Sequence, residues 1–461
     1  MKKTKKSTTP PRTMRRRLFL KRAAAGVALI EIGPANLLGG TGGPAPSDKI
    51  NVACVGVGGR GRGSVNACSG ENIVGLCDVD DREVGDAFEK FPSAKRYKDF
   101  RKMLDDLDKG IDAVTVGVPD HTHAVVALDA MRRGKHVYCE KPLAHSIAEV
   151  RAMMKAAHEH KVITQLGNQG HSWDTIRDFV ERVQDGAIGN VTEIHAFCNA
   201  FREVYCQIDK IPKLAEKHEV PGELDYDVWL GPAQFRAYSP LWVPWNWRGW
   251  MPFGTGCLGD WACHILDPCF WALDLGAPTT CHAEVDGYDP KKHGDLYPRG
   301  VKITFQFPAR GKRGPIKLVW FDGNWRPPRA PQLEKDQDQP GTGAVVYGDK
   351  GIIIHGSHGA KNLNLIPSKG LKAPEKPSPR IPRVPGQSHH GDWLAAVRAG
   401  RQSGSNFDYG GPLTELGLIG AIAIRFPGVE LQWDSTAMRF TNHSEANAHV
   451  APPFREGWSL D

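Results

Sequence analysis

The sequence predicts an α/β protein: an N-terminal doubly wound parallel sheet of the Rossmann type, then a larger α/β domain with an open, mostly antiparallel sheet. Three observations predict it. Short continuous apolar runs alternate with helical patterns up to residue 161, as strands buried on both faces do when helices connect them. The first run, "ACVGVGGRGRG" (53–63), stops in a glycine-rich string. Beyond residue 170 the runs change to apolar/polar alternation, the period of antiparallel strands.

Residues 1–46 read as an export signal and linker. Ten Lys or Arg and no acid fall within residues 1–30, and Arg16-Arg17-Leu18-Phe19-Leu20-Lys21 resembles the twin-arginine export signal. The apolar stretch after it, interrupted by Glu31, is far short of the ~20 residues of a membrane span. The expected location is periplasmic or otherwise extracytoplasmic, reached through the twin-arginine machinery. Residues 47–170 form the dinucleotide domain, with strands over 50–57, 72–80, 111–119 and 135–143 and helices over 123–134 and 146–161. Ser146 and Glu149 stand at capping-box spacing before the second helix. Residues 171–461 form the substrate and oligomerisation domain, with strands over 191–199, 280–288, 300–307 and 317–324 and one long helix over 259–275. Proline-rich stretches at 326–343 and 366–388 read as surface loops, and there is no internal repeat.

Composition narrows the function. With 461 residues and 40% hydrophobic composition, the chain has enough material for two to three domains. The net charge of +7 is concentrated in the leader; after residue 30 there are 49 basic and 52 acidic residues, so no basic nucleic-acid footprint remains. Most of the ten cysteines lie in apolar runs, and the six-residue spacing of Cys257, Cys263 and Cys269 suits buried thiols better than zinc.

Gly56, Gly58 and Gly61 fill the places of a GxGxxG string after a buried strand, and Asp78 follows seventeen residues later. Glycines let the backbone approach a pyrophosphate at a helix N-terminus, and a carboxylate at the second strand accepts from ribose hydroxyls. That acid would repel a 2′-phosphate, so NAD is expected over NADP, with Arg60 and Arg62 as the counter-argument. Glu140-Lys141-Pro142 ends a parallel strand at the edge where such sheets bind ligands. Asp260 and His264, four apart on a helix, are placed to meet, the carboxylate orienting an imidazole suited to proton transfer. A helix-surface ion pair is the alternative. His121 and His123 lack a third ligand at helical spacing, so helix-start and site-lining roles are favoured and no metal is expected. "LWVPWNWRGWMPFG" (241–254) offers aromatic faces for sugar rings and Arg248 for hydroxyls or a carboxylate, or else wedges a loop against the second domain.

"GVGGRGRG", "VPDHTHA", "CEKPLA" and "GDWACHILD", in this order, resemble the Gfo/Idh/MocA oxidoreductases, named for glucose–fructose oxidoreductase and inositol dehydrogenase. The likeness runs from about residue 49 to the C-terminus, and "GNQGH", "WRGW", "DPCFWALDLG" and "FREGW" look like the exported subset. The resemblance implies a nicotinamide-dependent dehydrogenase acting on a secondary alcohol of a sugar, polyol or inositol, in a homo-oligomer. It implies Lys141, Asp260 and His264 as the catalytic trio, with the proton base left open between Lys141 and His264. Gly59, Arg60, Pro119, His121 and Glu140 would join the glycines and Asp78 around the cofactor; His123, Asn168, Gln169, Trp247 and Arg248 would meet the substrate. An NAD-dependent glycosidase of the same fold and a non-catalytic sugar-binding protein are the rival readings.

Overall fold

A computed structural model describes residues 48–200 and 202–460; the export signal and linker read over residues 1–46 lie outside them. Six parallel strands form the first sheet in the order β3-β2-β1-β4-β5-β6. They are β1 (Asn51–Val55), β2 (Asn72–Cys77), β3 (Lys95–Tyr97), β4 (Ala113–Val116), β5 (His136–Cys139) and β6 (Thr164–Leu166). Helices α1 (Gly61–Ala67), α2 (Phe100–Leu107), α3 (His123–Arg132) and α4 (Ile147–Glu159) connect them. The chain moves outward from β1 on one side and from β4 on the other, so the sheet's switch point lies between these two strands, where such sheets open a crevice. The strands are shorter than the apolar runs that predicted them, because the last residues of each run leave the ladder and turn into that crevice. Helix α4 starts at Ser146 as its spacing predicts: the Ser146 hydroxyl accepts from the Glu149 amide, and the Glu149 carboxylate accepts from the Ser146 amide at 2.6 Å.

After helix α5 (Asp174–Gln184) the second sheet has nine strands. They are β7 (Val191–Cys198), β8 (Thr280–Asp286), β9 (Gly300–Phe307), β10 (Ile316–Asp322), β11 (Gly343–Gly348), β12 (Gly351–Gly356), β13 (Asn364–Pro367), β14 (Glu430–Asp434) and β15 (Arg439–Phe440). Their order is β13-β12-β11-β7-β10-β9-β8-β14-β15, and only the β7–β10 pair runs parallel. The helix expected over 259–275 is two helices, α6 (Gly256–Ile265) and α7 (Asp267–Leu273), because Pro268 opens a second first turn and has no amide to continue the first helix. Leu258 of α6 and Leu416, Ile419 and Ala423 of α9 (Phe407–Ile424) share one core with Ile303 and Phe305 of β9. On the other side, Phe197, Phe321, Ile352 and Ile354 pack with Ala330 and Leu333 of the proline-rich loop. Helix α8 (His389–Ala399) returns to the first sheet, where Trp393, Leu394 and Ala396 pack with Val52, Leu76 and Tyr138. No helix of the described residues is long and apolar enough to cross a membrane.

Candidate active site

The crevice at the carboxyl edge of the first sheet is lined by Gly56, Gly58, Gly59 and Arg60 after β1, Asp78 after β2, Pro119 and Asp120 after β4, and Glu140 and Lys141 after β5. Gly56 has φ +77°, and a Cβ there would lie 2.5 Å from the Gly117 carbonyl oxygen. At Gly61 a Cβ would lie 1.9 Å from the Gly56 oxygen, so this third glycine sets how closely α1 seats on β1 and does not itself face the crevice. Asp78 Oδ2 accepts from the amides of Val57 (2.9 Å) and Gly58 (3.2 Å), tying the end of β2 to the glycine turn. Burial raises the Asp78 pKa, against the amides of Val57, Asp80 and Gly58, which favour the carboxylate. Arg62 turns outward to Asp86 and the carbonyls of Val57 and Val84, which removes it as a partner for a 2′-phosphate. Arg60 stays at the crevice and pairs with the buried Glu140 at 3.0 Å. A glycine cradle beside a carboxylate at the end of the second strand fits a dinucleotide.

A second recess adjoins the crevice. Its walls include Gln169, Tyr205, Trp261, His264 and His358, and it shares Arg60, Lys141, Trp245, Arg248 and Asp260 with the crevice. Asp260 is the hub. It forms an ion pair with Lys141, accepts from the Tyr205 hydroxyl, and lies 3.6 Å from Arg248 Nε. Trp261 Nε1 donates to the Tyr205 oxygen at 2.9 Å and so holds that phenol in place. Burial alone would raise the Asp260 pKa; the charges of Lys141 and Arg248 and the bonds from Lys141 and Tyr205 outweigh it and hold it at about 2.

The expected contact between Asp260 and His264 does not form. Asp260 spends its acceptors on Lys141 and Tyr205, while the buried His264 stacks on His358 with ring centroids 3.9 Å apart. His264 Nδ1 is buried with no hydrogen-bond partner among the described residues. Burial, reinforced by His358, Lys141 and Arg60, holds the His264 pKa well below the ordinary histidine value, so the ring is neutral at physiological pH. Burial and the charges of Lys141 and Arg60 likewise lower His358 to about 4.

Three other expectations are corrected by burial. His121 faces away from the crevice, its ring nitrogens against the carbonyls of Trp229 (2.9 Å) and Phe253 (3.2 Å). His123 borders the crevice, but both its ring nitrogens meet carbonyls, of Pro142 (2.7 Å) and Val118 (2.9 Å), leaving none for a substrate. Asn168 is fully buried between Asp267 (3.0 Å) and Ser405 (2.7 Å) and serves packing. Gln169 does reach the recess, donating to Gly167 and Glu140. Trp247 lines the crevice, and Arg248 sits between the rings of Trp245 (4.3 Å) and Trp247 (4.1 Å).

Tyr205, His358 and Asp120 are the residues that sequence reasoning missed. Tyr205 lies in a segment with no motif, and His358 in a turn after β12 held by Thr175, whose hydroxyl donates to Gly359 at 2.6 Å. Asp120 sits inside "VPDHTHA", a motif read for its histidines. It is buried, accepts from the Thr255 hydroxyl (2.7 Å) and amide (3.1 Å), and is raised from 3.8 to about 7 by burial and then by repulsion from Asp260. The folded chain therefore keeps this proton between about pH 4 and 7 while the unfolded chain has released it, and stability declines as pH rises through that window. Asp120→Asn, which keeps an acceptor for Thr255 and removes the charge, is expected to raise the melting temperature by several degrees at pH 8 and by much less at pH 4. Paired melting curves at the two pH values check this.

Comparisons with known proteins agree with this fold. The Gfo/Idh/MocA model described as an oxidoreductase family NAD-binding Rossmann fold matches residues 50–168, and the model of the same family's C-terminal alpha/beta domain matches residues 204–313. The levoglucosan dehydrogenase of Pseudarthrobacter phenanthrenivorans is 26% identical over 193 residues, 42% of this chain and 40% of that one. This chain thus spans about two-fifths of the length of that curated relative. The aldose-aldose oxidoreductase of Caulobacter crescentus, complexed with glycerol, superposes with a TM-score of 0.55 at 17% identity, covering 84% of this chain and all of that one. The inositol dehydrogenase homolog of Azotobacter vinelandii, complexed with NADH and myo-inositol, gives a TM-score of 0.54 at 14% identity over 84% and 98% of the two chains. At these identities the superpositions establish the fold.

Proposed function

Because the chain belongs to the Gfo/Idh/MocA family of NAD-binding oxidoreductases, we propose that it oxidises a secondary alcohol of a sugar, polyol or inositol-like substrate. One observation carries the reading: the dinucleotide crevice and the aromatic recess meet at Lys141 and Asp260, so a substrate in the recess abuts a cofactor in the crevice. Bound NAD supplies the two-electron hydride acceptor. The chain handles the proton and the charge. The neutral His264 accepts the hydroxyl proton as the carbinol C–H bond breaks and the C=O bond forms. Lys141, held by Asp260, stabilises the alkoxide that develops on the same oxygen. Asp260 acts by orienting Lys141 and Tyr205. The names of the levoglucosan and inositol dehydrogenase relatives support a carbohydrate-like substrate. Purified protein given NAD and a panel of sugars, polyols and inositols is expected to accumulate reduced nicotinamide with at least one of them; no reduction with any of them would sink the reading.

The reading favours NAD over NADP because Asp78 faces the crevice and Arg62 does not. Asp78→Ser is expected to lower the preference for NAD over NADP about tenfold, on the order of 1.4 kcal/mol, by removing a repelling charge. Titration of both dinucleotides against both proteins checks this, and a wild-type protein that prefers NADP contradicts it.

We also propose that the protein is exported folded with NAD already bound, supported by Arg16-Arg17-Leu18-Phe19-Leu20-Lys21. Such a route supplies dinucleotide where it is made, and tight retention would let it recycle in place. The protein is expected in the extracytoplasmic fraction with NAD bound, and in the cytoplasm once Arg16 and Arg17 are both Lys. A wild-type protein confined to the cytoplasm would contradict export.

A further inference from the structure

The recess carries more positive than negative charge, and the excess is concentrated on one side chain. Arg60 is matched by Glu140 at 3.0 Å, and Lys141 by Asp260. Arg248 shares the same Asp260, at 3.6 Å and beyond hydrogen-bond length, and otherwise faces the buried Asp120, whose carboxyl keeps its proton up to about pH 7. Its Nη1 donates to the Trp245 carbonyl at 3.2 Å, and its other guanidinium donors have no hydrogen-bond partner among the described residues. The two histidines of the recess are neutral at physiological pH and add no charge. A guanidinium whose side chain is 13% exposed, clamped between the indoles of Trp245 and Trp247, has lost most of its hydration while keeping a planar fork of unused donors. Beside it Trp245 is 47% exposed as a residue and lines the recess with its indole.

We infer that the substrate is an acidic sugar, a uronic or aldonic acid, whose carboxylate is bound by Arg248 while the C–H face of its ring lies against Trp245. This rests on the oxidoreductase reading for the reaction, but not for the binding. A carboxylate restores charge balance, and its two oxygens match the fork of an arginine bidentately. The hydroxyls of a neutral sugar accept from those donors but bring no charge to balance the guanidinium and no paired oxygens to match its fork. The expected consequence is discrimination between sugars that differ only in the oxidation state of one terminal carbon.

The test compares glucuronate with glucose and galacturonate with galactose on the full-length protein, by reduced-nicotinamide production and by calorimetric binding in the presence of NAD. Each acid is expected to exceed its neutral partner at least tenfold in kcat/KM. Arg248→Gln is expected to remove most of that ratio through KM, and Arg248→Lys, which keeps the charge but loses the fork, to fall between. Equal use of the two members of each pair, or a ratio unmoved by Arg248→Gln in a protein with a normal melting temperature, would overturn the inference while leaving the oxidoreductase reading intact. A loss of NAD affinity in Arg248→Gln as large as the loss of the acid would also overturn it, by assigning the guanidinium to the cofactor. If no sugar is oxidised but the acids bind at least tenfold more tightly and lose that advantage in Arg248→Gln, the substrate class stands and the oxidoreductase reading falls.

Discussion

Lys141→Met is expected to lower turnover on the order of a hundred- to a thousandfold while NAD affinity changes only a few-fold. Methionine keeps roughly the length of the lysine stem and removes the ammonium, so the crevice wall is preserved and the alkoxide loses its counter-charge. The substitution also frees Asp260 of its nearest cation, leaving a carboxylate shared only by Tyr205 and Arg248 at the point where negative charge must develop. Both effects raise the barrier, and neither touches the glycine cradle. His264→Ala is expected to cost roughly a hundredfold by loss of the proton acceptor. The two can be told apart by pH. Because His264 is depressed and must be neutral to act, the acidic limb of the wild-type kcat/KM profile should fall well below the ordinary histidine range. Near-normal turnover in either variant would remove that residue from the mechanism.

Gly61→Ala is expected to weaken NAD binding about a hundredfold, on the order of 2.7 kcal/mol, without abolishing folding. The added methyl would stand 1.9 Å from the Gly56 oxygen and 3.2 Å from the Gly117 oxygen, both backbone atoms that cannot rotate away. Helix α1 must therefore lift from β1, which widens the turn that would cradle the pyrophosphate. Overpacking of this kind costs typically about 1–3 kcal/mol, so the melting temperature should also fall. Gly59, where an added Cβ meets nothing within 4 Å, provides the contrast. Gly59→Ala should leave the melting temperature less disturbed than Gly61→Ala, despite its positive φ. Equal NAD affinity in Gly61→Ala and wild type would mean that this close approach does not shape the cofactor site.

The parallel sheet was legible because each strand is buried on both faces and so reads as an unbroken apolar run. The glycine turn was legible because its three glycines and Asp78 serve local geometry within one βαβ unit. The break between α6 and α7 was equally written, in Pro268, but the apolar pattern on either side of it hid the boundary. β11 and β12, the glycine-bounded runs "GAVVYG" and "GIIIHG" joined through Asp349 and Lys350, pair as a hairpin whose signal is equally present in the sequence. What helical spacing could not supply was the partner of each charge. Asp260 and His264 satisfy the i,i+4 rule, yet burial draws the carboxylate to Lys141, 119 residues earlier in the chain, and the imidazole to His358. Tyr205 and His358 reach the recess through tertiary approach alone. His121, His123 and Asn168 were misplaced for the same reason, since a polar residue in a motif reads identically whether it faces a ligand or satisfies a buried carbonyl or carboxylate.

A substrate in the recess is expected to deliver a carbinol hydride to a dinucleotide in the adjoining crevice. The most direct measurement uses a sugar acid, polyol or inositol deuterated at its carbinol carbons, incubated with the protein and NAD, followed by mass analysis of the dinucleotide and the product. Our account predicts reduced nicotinamide carrying one deuterium and a product two hydrogens poorer than the substrate. Turnover that returns the cofactor to its oxidised form and cleaves the substrate without net oxidation, or binding of every candidate with no label reaching the dinucleotide, would contradict it.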